Sequence, residues 1–157
     1  MKKTHAYFMN LAIQMSKKTV LNTLTGGPFG CVIVKDKQVV GRGRNLVLKK
    51  NDPTLHGEIV AIQKACKRLK TVDLSDCILY TSCEPCPMCL MACKWANIKK
   101  IYFAATRQDA EKIGFRDAHL YSFLKKRPRT GVHMKKMEDK AVKAMLQWQE
   151  RYPDAHY

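Results

Sequence analysis

No uninterrupted apolar stretch in this sequence approaches the ~18 residues that a membrane-crossing helix needs, so the chain offers no candidate span. A cleavable leader is not expected either: MKKTHAYFMNLAIQM begins basic, but Asn10 and Gln14 interrupt its apolar part and no small-residue cleavage site follows. The expectation is a cytoplasmic protein with no membrane attachment. Internal repeats and low-complexity linkers are absent, and 157 residues suffice for one substantial core rather than two, so a single domain over residues 1–157 is expected. Negative charge is scarce. Thirteen Asp and Glu stand against 29 Lys and Arg, a net charge of +16 that attracts nucleic acid electrostatically. Most of these basic residues belong to separate segments, as Lys17, Arg42, Lys50, Lys67 and Lys100 illustrate, which fits a solvated basic surface at least as well as a binding footprint. Only KKRPR, Lys125 to Arg129, is dense enough to suggest a local anion or nucleic-acid patch.

An even disulfide framework is also missing. The cysteines number seven, and four of them crowd into CEPCPMCLMAC, closer together than bridges in a chain of this length are normally set. Metal binding is the better reading of that cluster.

The apolar pattern alternates between the periods of helix and strand. Phe8, Leu11, Ala12 and Met15 recur at helical spacing behind Thr4, a residue suited to the N-cap, and TGGP breaks that helix. FGCVIV and VVGRGRN, separated by KDKQ, read as a pair of strands between Phe29 and Asn45, the second weakened by Gly41 and Gly43. From about Leu55, the positions Ile59, Ile62, Cys66 and Leu69 mark a second helix. Cys77 to Ser82 is a short β-rich run, and Pro87 suits the first turn of a third helix, PMCLMACKWA, whose all-round apolarity predicts burial. KKIYFAA reads as a strand, DAEKIGF and RDAHLYSFL as short helices, and RTGVHMKKM as a final strand; Ala141, Met145, Trp148 and Tyr152 stripe a C-terminal helix. Strands alternating with helices imply an α/β protein, a three-layer α/β/α arrangement around one sheet.

The chemistry concentrates in HGE, His56 to Glu58, and PCPMC, Pro85 to Cys89, each where a strand or loop runs into a helix. His-x-Glu followed by Pro-Cys-x-x-Cys is the recognised signature of zinc deaminases acting on nucleobases. Zinc accepts imidazole and thiolate, and a catalytic site uses three protein ligands so that water can take the fourth position. His56, Cys86 and Cys89 satisfy that count. A helix N-terminus favours the thiolate forms of Cys86 and Cys89, and His56 and Glu58, two apart, both approach the metal only if it lies off the end of their helix. Two helix N-termini should therefore point at one zinc. Two thiolates and a neutral imidazole cancel the zinc charge, so a bound water would be less acidic than the ~7 reached with neutral ligands. A separate base is needed, and Glu58 suits it. Cys83 and Cys93, rival ligands by spacing, read as buried thiols.

These residues, with TLHGEIVAI and LYTSCEPCPMC, resemble the cytidine deaminase-like superfamily, and GGPFGCVIV, NDPTLHGEIVAI, CILYTSCEPCPMC, KWA and GFRDAHLY are similar to bacterial guanine deaminases. The resemblance implies a central mixed sheet sandwiched by helices, one Zn2+ per subunit, and deamination of guanine to xanthine and ammonia. It implies that Asn45 hydrogen-bonds the purine, that Phe29 and Trp95 wall the pocket, and that Asp117 reads the polar edge of the base. It also implies a homodimer in which residues from about 130–157 cross to a partner and Tyr157 closes the other active site. From the residues alone, Asn45 closes a strand end or binds substrate, Asp117 caps a helix or binds substrate, and Phe29 and Trp95 are core or wall. Gly57 departs from the alanine usual between the His and the Glu; it loosens the helix start by roughly 0.5–1 kcal/mol and enlarges the pocket floor. Three rivals stay open: a tRNA adenosine deaminase, which the net charge favours, a deaminase of other amino-purines, triazines or cytosine derivatives, and a non-catalytic zinc-stabilised RNA-binding module.

Overall fold

The computed structural model describes residues 3–21 and 24–126. Helix α1 (His5–Leu21) is capped as expected, with the Tyr7 amide donating to Thr4 Oγ1 at 3.3 Å. A β-hairpin follows, β1 (Gly30–Lys35) and β2 (Gln38–Arg44), then a single helical turn that sequence periodicity misses, α2 (Val47–Lys50). Helix α3 (Gly57–Leu69), β3 (Ile78–Cys83), α4 (Pro87–Trp95) and β4 (Lys100–Ala105) alternate thereafter, and α5 (Arg107–Lys112) and α6 (Asp117–Lys126) close the described chain. The predicted final strand and C-terminal helix, Tyr157 and most of KKRPR lie outside the described residues.

The four strands form one mixed sheet in the order β2-β1-β3-β4, antiparallel except for the parallel pair β3 and β4. Period-2 alternation sends successive side chains of the central strands to opposite faces. Val32, Val34 and Tyr80 pack with Phe8 and Ala12 of α1 on one face, while Cys31, Ile33 and Leu79 pack with Ala61 and Ala65 of α3 and Cys93 of α4 on the other. Burial on both faces explains why CVIV reads as a continuous apolar run. The α/β/α layering and mixed sheet agree with the sequence reading.

Two expectations need correction. Gly41 and Gly43 do not fray β2: a Cβ on Gly41 would strike the Ala61 carbonyl, and one on Gly43 the Gly57 carbonyl. They are the places where β2 and α3 meet backbone to backbone, with Ala61 and Ala65 completing the close approach. Helix α4 is not buried all round either. Pro87, Cys89 and Cys93 face the core, but Met91 and Trp95, four apart on the other side, stay exposed.

Candidate active site

His56 and Cys86 occupy equivalent places, the N-caps of α3 and α4. The His56 side chain makes no capping bond to its own helix, and the Cys86 sulfur turns toward Cys89 and His56. His56 Nδ1 lies 3.6 Å from Cys86 Sγ and 3.6 Å from Cys89 Sγ, and all three donor atoms fall within 4.8 Å of one another. A tetrahedral zinc with nitrogen at about 2.0 Å and sulfur at about 2.3 Å separates those two donors by about 3.5 Å. Both nitrogen–sulfur spacings match that separation, and the three side chains are the one such group among the described residues.

The electrostatics agree. The Cys86 thiol is held well below its ordinary range, first by its hydrogen bond with Cys89 and then by His56, against its burial. Cys89 is pushed up, chiefly by the same bond to Cys86 and then by burial. One sulfur is thus a ready thiolate and the other surrenders its proton to a cation, as metal binding requires. Burial pushes Cys93 up to about 12 and Cys83 up to about 11, so both remain thiols. The Cys83 thiol donates to the Thr106 carbonyl at 3.5 Å.

Glu58 is buried one helical position inside α3, and its Oε1 accepts a 2.7 Å bond from the hydroxyl of Thr81, a wholly buried residue of β3. Burial raises its carboxyl above the ordinary range, while Thr81, a backbone amide and His56 pull it down. The sequence held a signal for Thr81, a polar residue in the middle of an apolar strand, that motif matching passes over.

Beside His56 lies a cavity of about 490 Å3, lined by Leu24, Gly26–Pro28, Asn45, Val47, Leu48, Pro53 and Phe115, a size that suits a small ligand. Asn45 is buried in its wall; its Oδ1 accepts the Val47 amide at 3.1 Å, and its backbone amide donates to the Phe29 carbonyl at 3.0 Å. It both closes the strand end and lines the cavity. Asp117, the first residue of α6, is half-buried; burial and then Cys86 raise its carboxyl, while His56 lowers it.

The aromatic wall differs from the expected one. Phe115, which sequence reasoning missed, lines the cavity, and Phe29 packs edge-on behind it with ring centroids 4.7 Å apart. A Cβ on Gly27 would lie 2.7 Å from either ring, so a glycine is what lets the aromatic pair form. Trp95 is 67% exposed at the far end of α4, a helix about 13 Å long, and does not line this cavity. Gly57 does not form the floor: its missing Cβ would point to the Phe29 carbonyl, at 3.2 Å, on the sheet side. Lys125 ends near the last turn of α6.

Residues 2–105 match the cytidine and deoxycytidylate deaminase zinc-binding region. The guanine deaminase of Bacillus subtilis is 49% identical over 122 residues, 78% of this chain and 78% of the relative. The X-ray structure of guanine deaminase from Bacillus subtilis aligns with a TM-score of 0.86 at 42% identity, covering 94% of each chain. A tRNA-specific adenosine deaminase of Aquifex aeolicus is 37% identical over 99 residues, 63% of this chain and 64% of the relative. With the donor set, the sheet and the signature in agreement, the chain belongs to the zinc-binding cytidine and deoxycytidylate deaminase family, and its cofactor is zinc.

Proposed function

We propose that the protein is a guanine deaminase, hydrolysing guanine to xanthine and ammonia, with Glu58 as its proton carrier. The observation that carries this reading is the buried Glu58 carboxylate, which stands outside the three-donor set, two residues from His56 and held by Thr81. Similarity to a guanine deaminase across most of the chain supports the substrate. Zinc held by His56, Cys86 and Cys89 supplies the Lewis acidity that readies water for attack at neutral pH. Thr81 donates to Glu58 Oε1 and so fixes the carboxylate that carries the protons. Glu58 takes the proton of the attacking water and passes it to a ring nitrogen as the C–O bond forms at the amino-bearing carbon. It then carries the proton of the new hydroxyl to the amino group, which leaves as ammonia as the C–N bond breaks and the carbonyl of xanthine forms. Asn45, with Oδ1 already engaged, offers its NH2 end to an acceptor on the base. Asp117 accepts from the N–H groups of the base edge, and Phe115, backed by Phe29, supplies a face for stacking. The protein acts in the cytoplasm as one domain per chain, and residues from about 130–157 cross to a partner, where Tyr157 closes the neighbouring cavity.

The +16 charge and the Aquifex aeolicus relative favour a second reading, deamination of adenosine in a tRNA loop. Ammonia release across guanine, adenine, cytosine, their nucleosides and a tRNA separates the two. Guanine is expected to give the highest turnover, little affected by salt, and deletion of the last few residues to lower it. Turnover confined to tRNA and falling steeply with salt overturns the guanine reading.

A further inference from the structure

Cys86 sits on the short connection between β3 and α4, and the signature itself does not say what fixes that connection. The Glu84 amide donates to the Ala105 carbonyl at 2.8 Å, extending the parallel pairing just past the strands. The Glu84 carboxylate is then held three times by one residue. The Arg107 backbone amide and Nε both donate to Oε2 at 3.1 Å, and Nη2 reaches Oε1 at 2.7 Å. The same guanidinium lies 4.1 Å over the ring of Tyr121, whose hydroxyl donates to the Pro85 carbonyl at 2.7 Å. Glu84 and Pro85 are the two residues before the ligand Cys86, and Tyr121 stands four residues after Asp117 on α6, on the same helical face. One side chain thus spans the ligand loop and the helix that starts with Asp117.

The magnitudes favour a working role over an incidental surface contact. An exposed ion pair contributes little, but this one is bidentate and largely shielded, the Arg107 and Glu84 side chains being 30% and 17% exposed. Removing the arginine leaves a shielded carboxylate without its partner and frees the Tyr121 ring from its cation.

We propose that Arg107 is a positioning residue for the reaction: by gripping Glu84 and Tyr121 together it fixes the distance between the metal ligand Cys86 and the base-facing Asp117. The role of Asp117 rests on the guanine deaminase reading; the effect on Cys86 does not. Small displacements of reacting groups are costly, and residues that orient metal ligands typically change activity 10–100-fold.

The test uses Arg107→Ala, Arg107→Lys and Tyr121→Phe in the full-length protein, loaded with zinc for kinetics and with cobalt(II) for absorption spectra that report ligand geometry. We expect Arg107→Ala to lower kcat on guanine by on the order of tenfold, with a smaller change in KM, full metal content and shifted cobalt d–d bands. Lysine restores the charge but not the fork, so Arg107→Lys should not rescue kcat. Tyr121→Phe, which keeps the ring and loses only the bond to Pro85, should show a smaller fall in the same direction. A purely structural arginine would lower the melting temperature and leave kcat and the cobalt spectrum of the folded protein at parent values; that result in Arg107→Ala overturns the proposal. If Arg107→Ala does not fold, Arg107→Lys with parental kcat and spectrum overturns it equally. A parent protein that releases no ammonia from guanine refutes the substrate reading instead, and the cobalt spectra still decide the clamp.

Discussion

His56 and Cys86 reach their positions by the same local device: each is an N-cap with nearly the same backbone, φ −66° and ψ 162° against φ −66° and ψ 167°. The cavity beside them is assembled differently, from separated stretches that include Gly26–Pro28, Asn45 with Val47 and Leu48, and Phe115. The metal side therefore depends on a few residues at two helix starts and on whatever fixes those starts against the sheet. The base-facing side depends on how several loops and the single turn of α2 happen to meet. Damage that separates the two helix starts should cost metal and fold together, whereas damage to the cavity wall should alter affinity with zinc retained.

Gly43→Ala probes that contrast at its largest. A methyl there would strike the Gly57 carbonyl, so β2 and the first turn of α3 must separate, carrying His56 and Glu58 with them. We expect a loss of about 1–3 kcal/mol, together with reduced zinc content and turnover, read by a thermal melt and metal analysis. Phe115→Ala should act on the other side and more mildly. Loss of the pairing with Phe29 should cost about 0.5–1.5 kcal/mol of stability, and loss of the ring that lines the cavity should raise KM for guanine several-fold while kcat and zinc content stay near parent values. A silent Gly43→Ala beside a Phe115→Ala that loses its metal would reverse the comparison.

The same contrast explains what the sequence could and could not reveal. Capping, thiolate chemistry and Cys-x-x-Cys spacing are local, so His56, Cys86, Cys89 and their two converging helix ends were legible, as were the alternating layers. Phe115 was not, because an aromatic in a loop carries no sign of which cavity it will face, and here Gly27 decides the matter by leaving room for its ring. The family resemblance implied Trp95 as a wall, but a helix begun at the metal carries its far end away, and Trp95 is exposed there and does not line this cavity. Gly41 and Gly43 read as breakers of β2 because their cost in a lone strand is visible and their fit against α3 is not. Gly57 is the same lesson on the helix side: its space opens toward the backbone of Phe29, not toward the cavity.

The steady-state turnover of Glu58→Gln on guanine, measured alongside zinc content, bears most directly on the role assigned to that carboxylate. The glutamine retains an oxygen to accept from Thr81 and disturbs none of the three donors, so zinc should stay fully bound while kcat falls by about 10²–10⁴-fold. Turnover near the parent level in a fully zinc-loaded variant would contradict Glu58 as the proton carrier.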